Sequence, residues 1–325
     1  MIRIGILGYG NIGRGVEKAV RLNKDMKLAG IFTRRLQQVS EQISYVPVFH
    51  YSIPFVSSEV PKIDVMILCG GSKEDIPNQG PAFASLFNTV DSFDTHADIP
   101  GYFRIMDSIA KDSNNVSIIS AGWDPGIFSL ERVLGDAFLP GSKSYTFWGR
   151  GVSQGHSDAV RRIEGVLDAR QYTIPIYEAI QQVRAGEKPN FSKRDMHKRL
   201  VYVVAKKGAD RGKIRGAIVH MPKYFDEYDT EVVFITAEKM KENHSTYPHG
   251  GFVMNSGATG NNKHILEYRC NLESNPEFTA SVLVACARAA FRIKERGDKG
   301  AFTLLDIPLG LLSPHSPEEL RSKFI

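Results

Sequence analysis

Cysteine is scarce in this sequence, and the three present, Cys69, Cys270 and Cys286, are far apart, odd in number and outside any CxxC spacing. That excludes a disulfide framework and offers no structural zinc site. Long apolar runs are missing too: no uninterrupted hydrophobic stretch exceeds six residues, against the roughly 20 that a membrane-spanning helix requires. No membrane partner is expected. The N-terminus runs straight into a glycine motif, with neither an apolar segment nor a small-residue cleavage site, so a reducing cytoplasm is the expected compartment. Charge of one sign is lacking as well. Lys+Arg 41 against Asp+Glu 36 leaves +5, scattered along the chain, too little to argue for a nucleic-acid partner. What remains is 325 residues, 42% hydrophobic and 24% charged, the balance of a globular enzyme of about two domains.

The first third alternates short β-rich runs with helical stretches. Arg3–Leu7, Leu28–Phe32, Val46–Phe49, Val65–Cys69, Thr89–Phe93 and Val116–Ser120 read as strands, and that rhythm predicts a Rossmann-like, doubly wound parallel sheet with helices on both faces. After Trp123 the pattern changes. Ser144–Trp148, Leu200–Ala205, Glu231–Ile235 and Ile265–Leu272 alternate apolar with polar residues, which predicts one half-exposed, mostly antiparallel sheet in an α+β second domain. A helix from about Phe278 to Arg296 is expected to return to the first domain. The division is therefore 1–122 completed by 276–325, with 123–275 as the second domain. The basic stretch 206–215 reads as a solvated turn and helix start.

Gly8-Tyr9-Gly10-Asn11-Ile12-Gly13 follows the first strand and opens a helix over Ile12–Leu22. In that context the motif predicts a dinucleotide site: Gly8 for the tight turn, Gly10 for close approach to a pyrophosphate, Gly13 for helix–strand packing. At the end of the second strand, where NAD binding would place an acid, stands Thr33-Arg34-Arg35, and no carboxylate occurs after Asp25 until Glu41. A hydroxyl and two guanidinium groups suit a 2′-phosphate, so NADP is preferred over NAD. Cys69-Gly70-Gly71-Ser72, at the end of the fourth strand, adds small residues expected to contact the cofactor. Cys69 itself reads as a small buried apolar group.

Two carboxylates sit just past consecutive strand ends: Asp94, and Asp124 in Gly122-Trp123-Asp124-Pro125-Gly126. Carboxylates beside a nicotinamide suit a cationic amine, which they bind and help deprotonate. The competing reading of Asp124 is a helix N-cap with Pro125 at the first helical position.

Taken in order, Asp94-Thr95-His96, Gly122-Trp123-Asp124-Pro125-Gly126, Thr146-Phe147-Trp148-Gly149, Ser153-Gln154-Gly155-His156-Ser157-Asp158, His197-Lys198-Arg199 and Pro248-His249-Gly250-Gly251 resemble the meso-diaminopimelate D-dehydrogenase family from first strand to tail. The resemblance implies an NADP-dependent homodimer that deaminates the D-centre of meso-2,6-diaminopimelate, reversibly, to L-2-amino-6-oxopimelate and ammonia, in lysine and cell-wall precursor biosynthesis. The second domain would then carry the substrate site and the dimer sheet. Asp94 and Asp124 would hold the D-amino group, Trp123 and Phe147 or Trp148 would wall the site, and Gln154 with Gly155 would meet the proximal carboxylate. Thr173, Arg199 and His249 would grip the distal carboxylate, and Asn255 and Asn275 would read its amine. Arg150 and Val152 depart from the family pattern, which leaves pocket width and tolerance of other D-amino acids open.

Other readings compete. A different NADP-dependent two-domain oxidoreductase, acting on other D-amino acids or resembling dihydrodipicolinate reductase or a sugar dehydrogenase, would show a lysine or His–Lys acid/base pair beside the nicotinamide; the crevice motifs carry Asp94, Trp123 and Asp124 instead. A nucleotide-sensing regulator would need a DNA-binding element, and no helix-turn-helix or dense basic stripe is present. Seven of the histidines, His50, His96, His156, His220, His244, His264 and His315, read as packing, capping or surface residues, and no metal is expected. His197 is expected to support Arg199. Without the resemblance, Lys193, Arg194, Lys198 and Arg199 read as a solvated basic face.

Overall fold

A computed structural model describes residues 1–52 and 60–325. In chain order the strands are β1 (Ile2–Leu7), β2 (Met26–Thr33), β3 (Val48–His50), β4 (Val65–Leu68), β5 (Asn88–Asp91), β6 (Val116–Ile118), β7 (Lys143–Trp148), β8 (Gly151–Ser153), β9 (Val166–Pro175), β10 (His197–Ala205), β11 (Asp229–Phe234), β12 (His249–Thr259), β13 (Asn262–Leu272) and β14 (Gly300–Phe302). The chain divides into one compact unit of Met1–Leu130 with Pro276–Ile325 and a second of Glu131–Asn275.

The first unit is built on a seven-stranded sheet in the order β14-β6-β5-β4-β1-β2-β3, every pair parallel. Because β4 is buried along its whole length, both faces of the sheet must be covered, as a run of Val, Met, Ile and Leu demands. The strand order reverses between β4 and β1, so the crevice that binds ligands in such sheets opens beyond the carboxyl ends of these two strands. The expected strands at β5 and β6 overrun by two residues. The chain leaves the sheet early because the amides of Phe93 and Ser120 bond the Asp91 carboxylate, at 3.0 and 3.1 Å, instead of a neighbouring strand.

The long helix Asn275–Glu295 has twelve buried residues. Within the first unit it is held by Arg288, whose guanidinium takes Asp25 with two bonds (2.6 and 2.8 Å), Asn23 Oδ1 at 2.6 Å and the Leu312 carbonyl at 2.8 Å. Every arm of this buried cation is occupied. Among the described residues, no helix is long and apolar enough to cross a membrane.

The second unit differs from the single antiparallel sheet expected of it, since it holds two. One, ordered β11-β10-β9-β8, is antiparallel except for the parallel pair β10–β11. The connection between those two strands includes helix Arg211–Val219, capped by Asp210 accepting the Gly212 and Lys213 amides, and parallel neighbours require such a crossover. The other, β13-β12-β7, is wholly antiparallel. Chain direction breaks after Trp148, where Gly149 takes φ +107 and β8 pairs with β9 instead.

Candidate active site

At the nucleotide end of the first unit, Gly8 takes φ +93 directly after β1, a conformation that glycine adopts without strain. A side chain at Gly13 would lie 2.2 Å from the Gly8 carbonyl, so helix Asn11–Leu22 can sit this close to the turn only with hydrogen there. Gly10, its N-cap, offers no side-chain cap, and a Cβ there would meet nothing within 4 Å. An uncapped helix start at Asn11 and Ile12 with open space beside Gly10 is what a pyrophosphate cradle requires. Tyr9 is buried, its hydroxyl donating to Glu17.

Thr33 is buried and its Oγ1 accepts the Arg35 amide at 3.1 Å, while Arg35 Nη2 donates to the Tyr9 carbonyl at 2.8 Å. This ties the arginine pair to the glycine turn. Arg34, Arg35, Leu36, Gln37, Gln38 and Glu41 line an open depression of about 450 Å³. One partner was not legible in the sequence: Asp75, which pairs with Arg34 at 2.6 Å and accepts the Gly71 amide at 2.9 Å. A side chain at Gly70 would strike Asp75 and Gln79 at 2.6 Å, so the small residues after β4 make room for this acid. Burial pushes the Cys69 thiol up, and with no cation to oppose it Cys69 is inert.

Asp94 is exposed and its Oδ1 accepts the Ser72 hydroxyl at 2.5 Å, while the Ser72 Oγ accepts the Asp94 amide at 2.8 Å. Behind it lies Asp91, fully buried at the end of β5. Its carboxylate accepts the Phe93 amide, the Ser120 amide and the Tyr102 hydroxyl (2.8 Å), and its carbonyl accepts the Ala121 amide at 2.8 Å. One residue therefore fixes both chain segments that carry the two expected carboxylates. Burial pushes its carboxyl up to about 6 despite these three donors. Downstream, the helix starts at Ile127, two residues past Pro125, so Pro125 does not take the first helical position. The Asp124–Pro125 peptide is cis, and Trp123 packs edge-on against Phe128 at 5.1 Å.

In the second unit, strand register pairs Arg199 of β10 with Thr173 of β9, and Thr173 with Gly151 of β8. The buried Arg199 guanidinium donates to Thr173 Oγ1 and lies 3.9 Å over the Tyr228 ring, while its Nε has no hydrogen-bond partner. Among the described residues no carboxylate pairs with it. Gln171, on the same face of β9, donates to Thr173 Oγ1 at 3.3 Å and leaves its own oxygen unpartnered. Two histidines near this cation stay neutral: burial, and then the charge of Arg199, depress both His156 and His197 to about 3. His197 Nε2 accepts the Trp148 amide at 2.8 Å and its ring stacks on the indole at 5.2 Å. The neighbouring Lys193 and Arg194 pair instead with Glu227 and Asp229.

The other expected residues separate. Of the two candidate walls, Phe147 is fully buried in an aromatic cluster with Tyr145 and Phe191, which leaves Trp148 as the partly exposed one. Gln154 begins helix Gln154–Arg161, with the exposed Gly155 next to it. The His249 ring lies against Gly151, where a Cβ would be 2.5 Å away; β8 thus brings His249 to Thr173. Asn275 opens the long helix, its amide bonded to the Tyr247 carbonyl at 3.0 Å. Asn255 packs against Gly135 and donates to the Glu131 carbonyl at 3.3 Å. It thus sits under helix Ile127–Phe138. No cluster of three or more His, Cys, Asp or Glu able to hold a metal ion occurs among the described residues.

Comparison with known proteins agrees along the whole chain. Residues 122–274 match the family model described as the diaminopimelic acid dehydrogenase C-terminal domain. A meso-diaminopimelate D-dehydrogenase of Ureibacillus thermosphaericus is 57% identical over 325 residues, covering 100% of this chain and 99% of that protein. The solved structure of the Corynebacterium glutamicum DAP dehydrogenase in complex with DAP aligns with a TM-score of 0.93 at 44% identity, over 100% of this chain and 99% of that one. An engineered D-amino acid dehydrogenase bound to NADP+ aligns with a TM-score of 0.88 at 42% identity, over 100% and 99%.

Proposed function

This chain belongs to the meso-diaminopimelate D-dehydrogenase family, and we propose that it uses NADP to deaminate the D-centre of meso-2,6-diaminopimelate, releasing ammonia and L-2-amino-6-oxopimelate. The observation that carries the substrate reading is Arg199, a buried guanidinium with a free Nε, a threonine hydroxyl beside it and no carboxylate partner among the described residues. A buried cation left without an anion is costly unless a ligand supplies one, and a second carboxylate is what distinguishes diaminopimelate from simpler amino acids.

Thr173, Arg199 and His249 hold that distal carboxylate, and Asn275 reads the amine next to it. At the other end of the substrate, Asp94 and Asp124 bind the D-ammonium group and take its proton, Trp123 and Trp148 wall the site, and Gln154 with Gly155 meets the proximal carboxylate. Gripping both ends orients one α-hydrogen only, which is how stereochemistry follows from geometry.

The nucleotide is held by Gly8, Tyr9, Gly10, Asn11, Ile12 and Gly13 at the pyrophosphate and by Thr33, Arg34 and Arg35 at the 2′-phosphate, with Cys69, Gly70, Gly71 and Ser72 along its path. The open depression walled by Arg34 and Arg35 supports this fit. When bound, the nicotinamide supplies the acceptor for the substrate's hydride. The imine left on the substrate is then hydrolysed by water.

The protein works as a homodimer through the second unit. Leu134 and Phe138, 38% and 67% exposed, line one depression with Leu266 of the edge strand β13, and an apolar patch next to an open strand edge calls for a cover. Its three cysteines are buried and free, which suits the cytoplasm.

The test is NADPH formation, followed by absorbance, with NADP or NAD and each of meso-, LL- and DD-diaminopimelate, D-lysine and D-alanine. Turnover of the meso isomer with NADP and none of the LL isomer is expected. Equal rates with LL, or silence with every isomer despite tight NADP binding, would withdraw the assignment.

A further inference from the structure

Buried arginines ordinarily face a carboxylate, because a guanidinium taken out of water needs a counter-charge and acceptors for its fork. Arg199 has the Thr173 Oγ1 hydroxyl as acceptor and, in place of a counter-ion, Tyr228, whose ring face lies 3.9 Å from Cζ and whose side chain favours the charged guanidinium against burial. The parallel register of β10 and β11 brings this about: Arg199 pairs with Thr230, and Tyr228 stands two residues earlier in the chain. The Tyr228 backbone is pinned there, its amide donating to the carbonyl of the buried Phe225 at 3.0 Å and its carbonyl accepting Thr230 Oγ1 at 3.4 Å.

A ring and a carboxylate at this place would act differently. A carboxylate would occupy the in-plane N–H groups and cancel the charge. A ring attracts the cation through its π-face, most strongly where water is excluded, and it covers only the flat side of the guanidinium. The in-plane Nε–H stays without a partner, as observed. The two histidines near it, His156 and His197, add no negative charge, being neutral or, if protonated, cationic.

We propose that Tyr228 is a specificity-determining residue: its ring face holds Arg199 in place and leaves the charge uncancelled, so that the guanidinium selects a substrate with a distal carboxylate. This rests on the assignment of Arg199 to that carboxylate.

The test compares KM and kcat for meso-diaminopimelate in the wild type, Tyr228→Phe, Tyr228→Leu and Arg199→Met, with the dissociation constant for NADPH, read by its fluorescence, as the control for folding. Loss of the ring should raise KM about tenfold in Y228L, with kcat within about threefold of wild type and NADPH binding unchanged. Y228F, which keeps the ring, should restore KM to within about threefold. R199M should raise KM further than Y228L. An unchanged KM in Y228L alongside a raised one in R199M would overturn the role of Tyr228, as would a Y228F as impaired as Y228L. An unchanged KM in R199M would instead overturn the assignment of Arg199, and this inference with it. Should Y228L not fold, Tyr228→Met, which also lacks a ring, is read in the same way.

Discussion

Two arginines are buried among the described residues, one in each unit, and they are held in opposite ways. Arg288 is 2% exposed and fully bonded, with both oxygens of Asp25, Asn23 Oδ1 and a main-chain carbonyl around it. Arg199 is 7% exposed, with a hydroxyl, a ring face and an Nε that bonds nothing. The saturated cation joins parts of one unit that are far apart in sequence. The unsaturated one has chemistry left over, and stability given up in this way is characteristic of a binding residue. A counter-ion, more than burial or residue type, separates the structural arginine from the one proposed to bind the substrate.

Exchanging each for methionine should break the symmetry most visibly. Arg288→Met removes a bidentate partner and leaves Asp25 and two further acceptors stranded, so unfolding by urea should show a loss of about 3–5 kcal/mol. Arg199→Met removes a cation that nothing neutralises, and the cofactor-free protein should lie within about 1 kcal/mol of wild type or above it. Comparable losses in the two variants would end the distinction.

Acid should separate the two units next. His156 and His197 are depressed from 6.5 to about 3, so the stability tied to their neutrality is complete above pH 6.5 and falls as pH falls. Between pH 6.5 and 5 each costs about 2 kcal/mol. Asp91, raised to about 6, runs the other way: its contribution is complete below its unfolded pKa and lost as pH rises through 6. Going from pH 6 to 5 therefore returns about 1 kcal/mol to the first unit. Native-state hydrogen exchange at pH 7 and 5, corrected for intrinsic rates, should show β9 and β10 losing protection while β4 and β5 keep theirs. Equal losses in both sheets would contradict this.

What could be read from the sequence follows how local the constraint is. The turn Gly8–Gly13 is legible because its requirements, a positive φ and a missing Cβ, are met within six residues. Thr33-Arg34-Arg35 is legible because it ends a strand. Asp75 is not, because it reaches Arg34 across 41 positions and nothing in either segment announces the other. Strands β9 and β12 were missed for a different reason. Gln171 and Thr173 put buried polar groups on the inward face of β9, and β12 carries Gly250, Gly251 and the buried pair Asn255 and Ser256. These break the apolar alternation that marks a strand. Both belong to the unit proposed to hold the substrate, where packing rules would yield to binding. Tyr228 was invisible too, since only the parallel register of β10 and β11 brings it to Arg199.

The smallest effect tests whether Asp91 belongs with Arg288, as a saturated charge, despite its raised pKa. Tyr102→Phe deletes one of three donors and leaves the Phe93 and Ser120 amides in place. If those amides keep the carboxylate seated, the cost is that of one hydrogen bond to a charged group, about 1–2 kcal/mol, and kcat should remain within about twofold because the segments bearing Asp94 and Asp124 stay anchored. Losing a donor that favours the ionised form also raises the carboxyl further, so the stability regained on acidification should begin at a higher pH than in wild type. Thermal unfolding of the two proteins between pH 5 and 8 measures both quantities. A collapse of kcat would mean that the Tyr102 hydroxyl seats the carboxylate in place of the two amides, since the ring that packs 4.4 Å from Phe93 is kept in the variant.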